Sequence, residues 1–343
     1  MHRRSASMML VLLVSASVWA ASPVKLELIE AKKIWDEAPH SAFTDLIRFE
    51  GEFYCAFREG RGHVSTDGRI RVLRSADGNA WRSAAVVSLQ GYDLRDAHLC
   101  ITPDGQLMLV GGAAPRKKDS ESAPTGSFVA FSKDGAAWTA PEIVVKPGRW
   151  MWCVTWHKGK AYGVSYSAPD NGKHLTLLTS LDGRTYEPHV PRLFEEGYSN
   201  ETRLRFVEDG TCYALVRRDR HGDDPSTPVL GVSKAGYTEW QWHDLGTEFN
   251  RFGGPNFIQL RSGHWIATGR MHQGGAHTAL TYLDVENKKM TTLLRLPSGG
   301  DTSYPGLLEH DGILYVSYYS SHEGKTSIYL AKVRVIETAK DKS

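Results

Sequence analysis

Short apolar and aromatic runs alternate along the whole chain with pairs of residues that end in glycine. Each pair is followed by a β-rich run, such as Phe53–Phe57 after the first pair. The glycines follow one another at steps of 54, 54, 51, 53 and 49 residues. A glycine turn between two apolar runs is typical of a tight β-hairpin, so the pattern predicts six hairpins. Their turns are Glu50-Gly51, Asp104-Gly105, Lys158-Gly159, Asp209-Gly210, Ser262-Gly263 and Asp311-Gly312.

A second motif, Ser-x-Asp-Gly followed by an aromatic residue, recurs at steps of 57, 48 and 53 residues. Ser and Asp side chains accept hydrogen bonds from nearby backbone N–H groups, and glycine adopts positive φ without strain. The aromatic side chain can fold back over the turn. These residues are therefore predicted to be structural. The full copies are Ser75, Asp77, Gly78 and Trp81; Ser132, Asp134, Gly135 and Trp138; and Ser180, Asp182, Gly183 and Tyr186; a degraded copy runs from Ser233 to Trp240.

Six hairpins, most with a third and a fourth strand, predict six four-stranded sheets, and radial repetition of such sheets is a β-propeller. After the last hairpin only one clear strand follows, Ser327–Val335. We predict that Val24–Glu30 supplies the missing outer strand and closes the ring, because closure removes an exposed edge. The predicted fold class is therefore all-β, a single six-bladed β-propeller over residues 22–337, with a charged C-terminal tail over 338–343.

Residues 1–21 have the pattern of a secretory signal peptide. Basic residues at positions 2–4 precede an apolar stretch, Met8–Val14, and small residues surround Ala21. The apolar stretch is too short to span a bilayer. We therefore expect a secreted or periplasmic protein without a membrane span.

Composition excludes several classes of function. The 343 residues carry a net charge of +2, which gives no indication of a nucleic-acid partner. The sequence has no phosphate loop, no nucleophile elbow and no His/Cys cluster at ligand spacing, so we predict no cofactor and no metal. We expect a monomer. The four cysteines lie in strand-like runs, which favours buried thiols over disulfides; they are Cys55, Cys100, Cys153 and Cys212.

The two kinds of turn also predict where a ligand binds. Both fall on one face of the ring, because they connect strands 1 and 2 and strands 3 and 4 of each blade. On the opposite face, loops from all six blades converge near the axis. Arginines there suit an anionic ligand, and aromatic residues suit a sugar ring. The candidates on this open face are His40, Arg58, Asp67, Arg95, Asp96, Trp150, Glu201, Arg217, Asn256, Arg270 and Tyr304.

The Ser-x-Asp-Gly-x-x-Trp turns resemble the Asp boxes, or BNR repeats, of the sialidase (neuraminidase) superfamily, and the resemblance covers essentially the whole mature chain. It implies the propeller fold and a structural role for the boxes. It also implies site residues at four places: Glu201 at the start of blade 4, Arg217 after its second strand, Arg270 in blade 5 and Tyr304 at the start of blade 6. The family's acid/base aspartate, in the blade 1 loop, is matched loosely by Asp67.

The chain departs from the sialidase pattern at the start of blade 1. Sialidases have an Arg-Ile-Pro motif there, whose arginine completes a clamp on the substrate carboxylate. This chain has no arginine over residues 40–46, although Arg58 or Arg95 could substitute. Because planar recognition of two oxygens depends on arginine geometry, we favour a ligand other than sialic acid, such as a glycan containing uronic acid.

The resemblance implies a tyrosine nucleophile. A free tyrosine has a pKa of about 10 and needs a base in contact. Glu201 would accept the Tyr304 proton, Asp67 would protonate the leaving oxygen, and Arg217 and Arg270 would hold a substrate carboxylate. The sequence thus predicts an exported, exo-acting glycoside hydrolase whose partner is an acidic glycan.

Two other functions are left open by the sequence. A uronate-specific lyase would abstract the proton α to the carboxylate, with His40 or Tyr304 as its base; histidine is also a candidate acid or base for hydrolysis. A non-catalytic propeller would bind a glycan on the same face without turnover. The Glu201 and Tyr304 pair favours an enzyme, whereas the absent blade 1 arginine argues against a conventional sialidase.

Overall fold

The computed structural model describes residues 22–116, 125–145, 147–167 and 174–337. These residues form 24 strands in six four-stranded antiparallel sheets, together with one 3-10 helix, Thr247–Phe249. The predicted all-β, six-bladed propeller is confirmed. The predicted signal peptide (1–21) and C-terminal tail (338–343) lie outside the described residues. Within the described part of the chain, no helix has the length and apolar character needed to cross a membrane.

The strands are numbered in chain order, and each blade runs from the axis outward. The first strand is β1, Val24–Trp35. Blade 1 comprises β2 (His40–Phe49), β3 (Glu52–Gly60), β4 (Arg69–Ser75) and β5 (Arg82–Val87); blade 2 comprises β6 (Tyr92–Ile101), β7 (Leu107–Pro115), β8 (Gly126–Ser132) and β9 (Glu142–Ile143); blade 3 comprises β10 (Arg149–His157), β11 (Lys160–Ser167), β12 (Leu175–Ser180) and β13 (Glu187–Phe194).

The second half of the ring repeats this order. Blade 4 comprises β14 (Tyr198–Phe206), β15 (Cys212–Asp219), β16 (Val229–Ser233) and β17 (Gln241–Asp244); blade 5 comprises β18 (Gly253–Gln259), β19 (Trp265–Met271), β20 (His277–Asp284) and β21 (Lys289–Arg295); blade 6 comprises β22 (Thr302–His310), β23 (Ile313–Ser320), β24 (Ser327–Glu337) and β1.

The N-terminal strand closes the ring, as predicted. Strand β1 pairs antiparallel with β24, with Val24 opposite Glu337 and Ala31 opposite Ala331. The strand runs on to Trp35, five residues beyond the predicted end. Each end of the polypeptide is therefore tied to the other in one sheet, and the outer edge of blade 6 comes from the start of the chain.

The glycine hairpins lie on the face opposite the open face, which we call the closed face, and they are of two kinds. In blades 1, 3 and 6 both turn residues have positive φ, for example 47° at Glu50 and 78° at Gly51. These are the two-residue turns that the sequence predicts. In blades 2, 4 and 5 only the glycine has positive φ, and a longer turn is closed by bonds such as Gly105 N to Thr102 O at 3.0 Å.

The three Ser-x-Asp-Gly turns share one hydrogen-bond pattern. Ser75 Oγ accepts from Gly78 N at 2.9 Å, and Asp77 Oδ1 accepts from the N–H groups of Asn79 and Ala80 at 2.8 and 3.1 Å. These backbone bonds hold the pKa of Asp77 well below its usual value. The Trp81 indole N–H donates to Gly78 O at 3.3 Å. The backbone N–H groups of residues 78–80 are thus satisfied by side chains within the same short segment.

Each innermost strand contains one β-bulge. The register shifts between Ala42 and Asp45 in blade 1 and between Ser303 and Gly306 in blade 6, with equivalent shifts in the other four blades. A bulge interrupts the ladder and re-aims side chains. The bulge residues are Phe43 and Thr44, Asp96 and Ala97, Trp152 and Cys153, Asn200 and Glu201, Gly254 and Pro255, and Tyr304 and Pro305.

A buried ionic cluster joins three blades at the axis. Asp45 Oδ2 accepts from Arg203 Nη2 at 3.3 Å and from Leu99 N at 3.0 Å, and His98 Nδ1 lies 3.3 Å away. Burial by itself would raise the pKa of Asp45, but Arg203 and His98 outweigh it and hold that pKa well below its usual value. Because these residues come from β2, β6 and β14, their contacts fix blades 1, 2 and 4 around a common centre.

The four cysteines are unpaired thiols, as predicted, and all lie in the described residues. Cys55, Cys153 and Cys212 are buried, and Cys100 is partly exposed. Burial raises the pKa of each thiol, which makes all four poor nucleophiles.

Candidate active site

The bulges bring residues of several blades to one place near the axis. Tyr304, in the blade 6 bulge, has ring contacts with Phe43 at 5.0 Å and Trp152 at 5.5 Å, which occupy the bulges of blades 1 and 3. Its hydroxyl contacts Glu201, in the blade 4 bulge. Gly254, in the blade 5 bulge, also lies against the Tyr304 ring, so five of the six bulges meet around one tyrosine.

Tyr304, Glu201 and Arg217 form a closed set of hydrogen bonds. The Tyr304 hydroxyl donates to Glu201 Oε1 at 2.6 Å. Arg217 Nη1 donates to the same carboxylate oxygen at 2.7 Å and to the Tyr304 hydroxyl at 2.9 Å. All three side chains are largely buried. The structure thus brings together three of the four residues on which the sialidase resemblance depends.

Further bonds fix the carboxylate and the guanidinium from behind. The second oxygen of Glu201 accepts from Gly254 N at 2.7 Å. Arg217 donates through Nε and Nη2 to Asp219 Oδ1 at 3.1 and 2.8 Å. Asp219 lies two residues after Arg217 on β15, so both side chains project from the same face of the strand. The arrangement holds the Glu201 carboxylate against the tyrosine hydroxyl.

The backbone at Tyr304 is held in a conformation that side chains rarely adopt. Its φ is 49°, and that of Ser303 is 106°. Gly254 lies against the ring, and a Cβ added there would come within 2.6 Å of Tyr304 Cγ. Gly254 itself has φ of 62°. Backbone strain of this kind, outside glycine, is concentrated at functional sites, which favours a functional role for Tyr304.

The environment keeps the Tyr304 hydroxyl protonated. Burial raises the pKa of Tyr304 well above its usual value, and the negative charge of Glu201 adds to that rise, against the opposing charges of Arg217 and Arg270. The phenol therefore ionises at neutral pH only if its proton is transferred as another bond forms. Glu201, at 2.6 Å, is placed to receive that proton.

Asp96 is the carboxylate with the strongest tendency to remain neutral in this region. Burial raises its pKa to about 7, together with the negative charge of Glu201, while Arg95, His63 and Arg58 oppose the rise. A carboxyl with a pKa near 7 can donate a proton and later accept one at neutral pH. The sequence analysis placed Asp96 among substrate-binding residues, whereas its raised pKa makes it a candidate acid/base.

Arg270 is a cation without a polar partner among the described residues. Its guanidinium carbon lies 5.4 Å from the centroid of the Tyr304 ring, and its buried Nε has no hydrogen-bond partner. A Cβ added at Gly253 would lie 3.1 Å from Arg270 Nη2 and 3.4 Å from the Arg217 guanidinium carbon, so the two arginines flank the same glycine. An unpaired, largely buried arginine beside a second one favours an anionic ligand.

The two other candidate arginines are held by protein groups. Arg58 is fully buried, and it donates to Asp93 Oδ1 at 2.9 Å and to the carbonyl of Gly62 at 2.8 Å. Arg95 Nε donates to Asp93 Oδ2 at 2.6 Å. Arg58 therefore stabilises the loop after β3. Among the described residues, Arg95 forms a hydrogen bond through its Nε alone.

Asp67 contacts Arg61 and not Tyr304. Its carboxylate accepts from the backbone N–H of Arg61 and pairs with Arg61 Nε, both at 3.2 Å. Within the described residues, no contact joins Asp67 to Tyr304, Glu201 or Arg217. The loop carrying Asp67 is closed on itself by this pair.

Asn256 and Trp150 support the site without facing it. Asn256 is buried, accepts from Arg205 Nη2 at 3.0 Å and donates to Pro305 O at 2.8 Å, which fixes the residue after Tyr304. The Trp150 ring lies on Gly112, where an added Cβ would come within 1.8 Å of it. Trp150 is therefore packed between blades.

His40 contacts a different carboxylate. Its Nε2 lies 2.8 Å from Asp301 Oδ2, and His63 Nδ1 lies 2.8 Å from the same oxygen. The sequence analysis did not assign roles to His63, Asp301 or Asp219. Asp219 had a detectable signal, since it follows Arg217 by two residues in a strand. His63 and Asp301 had no such signal, because they are distant in sequence from the residues that they contact.

Comparison with known proteins identifies the fold class. No protein-family model matches the chain, and no curated protein matches it. A protein of unknown function from Dyadobacter fermentans is 20% identical over 91% of this chain and 100% of that one, with a TM-score of 0.78. The GH93 α-L-arabinofuranosidase of Fusarium graminearum, in complex with arabinobiose, is 14% identical over 90% and 98%, with a TM-score of 0.68.

A sialidase extends this comparison. The sialidase of Trypanosoma rangeli, in complex with the inhibitor DANA, is 12% identical over 86% of this chain and 55% of that one, with a TM-score of 0.64. The chain therefore has the six-bladed propeller fold that sialidases share with the GH93 enzyme. The predicted resemblance to sialidases is confirmed at the level of the fold.

Proposed function

We propose that this chain is an exported, exo-acting glycoside hydrolase that cleaves a carboxylate-bearing glycan. The observation that carries the proposal is the contact of the Tyr304 hydroxyl with Glu201 at 2.6 Å and with Arg217 at 2.9 Å. The signal peptide predicted at residues 1–21 supports export. The similarity in fold to an α-L-arabinofuranosidase and to a sialidase supports a glycan as the substrate.

Arg270 is the group that would bind the substrate carboxylate. Arg217 already pairs with Glu201 and Asp219, whereas Arg270 has no polar partner in the described part of the chain. An anion placed between the two guanidiniums would gain charge-assisted hydrogen bonds and would neutralise the unpaired cation.

The first step forms a covalent glycosyl-enzyme. The Tyr304 oxygen attacks the anomeric carbon while its proton passes to Glu201. The glycosidic C–O bond breaks, and its electron pair stays on the leaving oxygen, which takes a proton from neutral Asp96. A raised pKa on Asp96 is what this step requires at neutral pH.

The second step returns the enzyme to its starting state. Ionised Asp96 removes a proton from water, the water oxygen attacks the anomeric carbon, and the bond to the Tyr304 oxygen breaks. The Tyr304 phenolate then recovers its proton from Glu201. Two successive displacements at one carbon retain the anomeric configuration.

The experiment that tests the proposal compares two tyrosine variants of blade 6. Tyr304→Phe removes the nucleophile, and kcat is expected to fall on the order of 10³-fold or more on a panel of fluorogenic sialosides, glucuronides and rhamnosides. Tyr318→Phe is the matched control, because its buried hydroxyl donates to Pro297 O at 3.0 Å, away from Glu201. This control should retain wild-type kcat.

Three results would contradict the proposal. Full activity in Tyr304→Phe would remove the nucleophile. An unsaturated product with ultraviolet absorbance would identify a lyase. Glycan binding without turnover of any substrate would identify a binding propeller.

A further inference from the structure

Two histidines and one aspartate converge where blade 6 meets blade 1. His40 begins β2, His63 lies in the loop between β3 and β4, and Asp301 lies just before β22. His40 Nε2 and His63 Nδ1 each lie 2.8 Å from Asp301 Oδ2. One potential ligand atom from each of the three residues lies within 4.8 Å of the other two.

The carboxylate of this cluster is oriented by residues behind it. Tyr319 donates its hydroxyl to Asp301 Oδ1 at 3.1 Å, and the Asp301 N–H donates to Ser321 Oγ at 2.8 Å. Oδ2 is therefore left to the two imidazoles. Outer hydrogen bonds of this kind orient the ligands of metal centres and raise their basicity.

Burial differs across the cluster in a way that suits a ligand-accessible site. His40 is only 7% exposed, and its Nδ1 has no hydrogen-bond partner. The His63 and Asp301 side chains are 45% and 26% exposed. One imidazole is thus anchored in the protein, while the other two ligands border solvent.

The observed separations are close to those of a metal centre. Ligand atoms about 2.1 Å from a tetrahedral ion lie about 3.4 Å apart. The two N···O separations of 2.8 Å would lengthen by a fraction of an ångström as a cation replaced the bridging protons. Two imidazoles and one carboxylate with an open fourth position is a donor set that suits Zn²⁺.

We propose that His40, His63 and Asp301 form a binding site for a divalent cation of the Zn²⁺ class. The sequence conceals this site because His63 and Asp301 are 238 residues apart. The ring of Phe43 separates the cluster from the tyrosine, with centroids 5.1 Å from His63 and 5.0 Å from Tyr304. The site therefore lies one aromatic ring away from the tyrosine of the candidate active site.

A cation at this position would bind the substrate together with Arg270. Its open coordination position would accept an oxygen of the glycan and would add positive charge at the start of blade 1, where no arginine is present. This role in substrate binding rests on the proposed hydrolase function. Cation binding itself does not, since it is measured without any glycan.

The test is isothermal titration calorimetry, in which Zn²⁺ is added to the full chain and the heat of binding is measured. The protein is prepared without a polyhistidine tag and is freed of metal by a chelator. One equivalent is expected to bind, with release of protons from the cluster. His63→Ala should weaken binding by at least about tenfold. His63 is the preferred position because its exposure makes misfolding a minor concern, and thermal unfolding of the metal-free variant checks this.

His221→Ala is the matched control. His221 Nδ1 lies 3.4 Å from Asp224, so it is an exposed histidine with a single carboxylate partner. Its removal should leave Zn²⁺ affinity unchanged. Asp301→Asn and the visible spectrum of bound Co²⁺ provide independent readouts.

Absence of binding to the wild-type chain would overturn the proposal. Wild-type affinity retained in both His63→Ala and Asp301→Asn would overturn it as well. Loss of Zn²⁺ binding in these variants, with folding intact, supports the site whether or not any glycan is cleaved.

Discussion

The aspartates of the Ser-x-Asp-Gly turns and Asp96 on the open face have opposite electrostatic environments. Asp182, in a Ser-x-Asp-Gly turn, accepts from Thr185 N and Arg184 N at 2.7 and 2.8 Å. These backbone bonds hold the pKa of Asp182 well below its usual value. Asp96 is buried beside the charge of Glu201, and its pKa is raised to about 7.

The difference shows that the identity of a residue does not fix its chemistry. The partners of Asp182 lie within three residues of it along the chain, so the turn carries its own electrostatics. The groups that act on Asp96 are its neighbour Arg95, Glu201 of blade 4, and Arg58 and His63 of blade 1, with Glu201 as the largest charge. A carboxylate with local donors is held ionised, whereas one that is buried near a like charge is held neutral.

Among the variants that test this comparison, the largest effect is expected from Asp96→Asn, which removes the proposed acid/base. For substrates with a poor leaving group, kcat should fall by about 10²–10⁴-fold. The loss should be smaller for an activated aryl leaving group, which needs little protonation. Wild-type kcat should decline as the pH rises through about 7, because Asp96 then ionises. Full activity in Asp96→Asn with an unchanged pH profile would contradict this assignment.

The same variant changes how stability depends on pH. An unfolded aspartate has a pKa of about 3.9, so between pH 4 and 7 the native state binds more protons at Asp96 than the unfolded state. Stability should therefore fall as the pH rises through this window. The decline should be shallower in Asp96→Asn when Tm is measured across it.

An intermediate effect is expected from Gly254→Ala. A Cβ at this position would come within 2.6 Å of Tyr304 Cγ, so the tyrosine must move away from Glu201. We expect kcat to fall by about 10–100-fold, since displacement of about 1 Å costs that much. Gly51→Ala is the control, because its φ of 78° is also positive but nothing lies within 4 Å. Equal loss of kcat in both variants would attribute the effect to backbone strain alone.

The smallest effect on activity is expected in the closed face. Ser180→Ala removes a buried hydroxyl that accepts from Gly183 N at 2.9 Å and leaves that donor unsatisfied. Stability should fall by roughly 1–3 kcal/mol with kcat unchanged. The exposed Ser88→Ala should change neither quantity. A loss of kcat in Ser180→Ala at a temperature where it is folded would show that the two faces are coupled.

The sequence predicted the ring and its closing strand because both depend on features that repeat or lie at the ends of the chain. Glu201, Arg217 and Tyr304 were placed by the sialidase resemblance, and the structure brings their side chains into contact. Whether they catalyse a reaction stays a prediction. The sequence analysis gave the acid/base role to Asp67 and placed Asp96 among the binding residues, because the burial and the neighbours of these carboxylates were unknown.

The arginines show the same limit. Arg58 and Arg270 both lie near the end of the second strand of a blade and look alike in the sequence. Arg58 is saturated by Asp93 and by loop carbonyls, whereas Arg270 lies unpaired beside Tyr304. Only the partner across the blade boundary separates an arginine that is saturated by protein groups from one whose Nε has no partner.

The sequence by itself determined the features whose energies are local: the six glycine hairpins and the three Ser-x-Asp-Gly turns. The hydrogen bonds of these turns span only a few residues, so the residue pattern is enough to specify them. The tertiary structure decided protonation, pairing and convergence. Glu201 and Tyr304 are separated by 103 residues, and His40 and Asp301 by 261, so their contacts depend on closure of the ring.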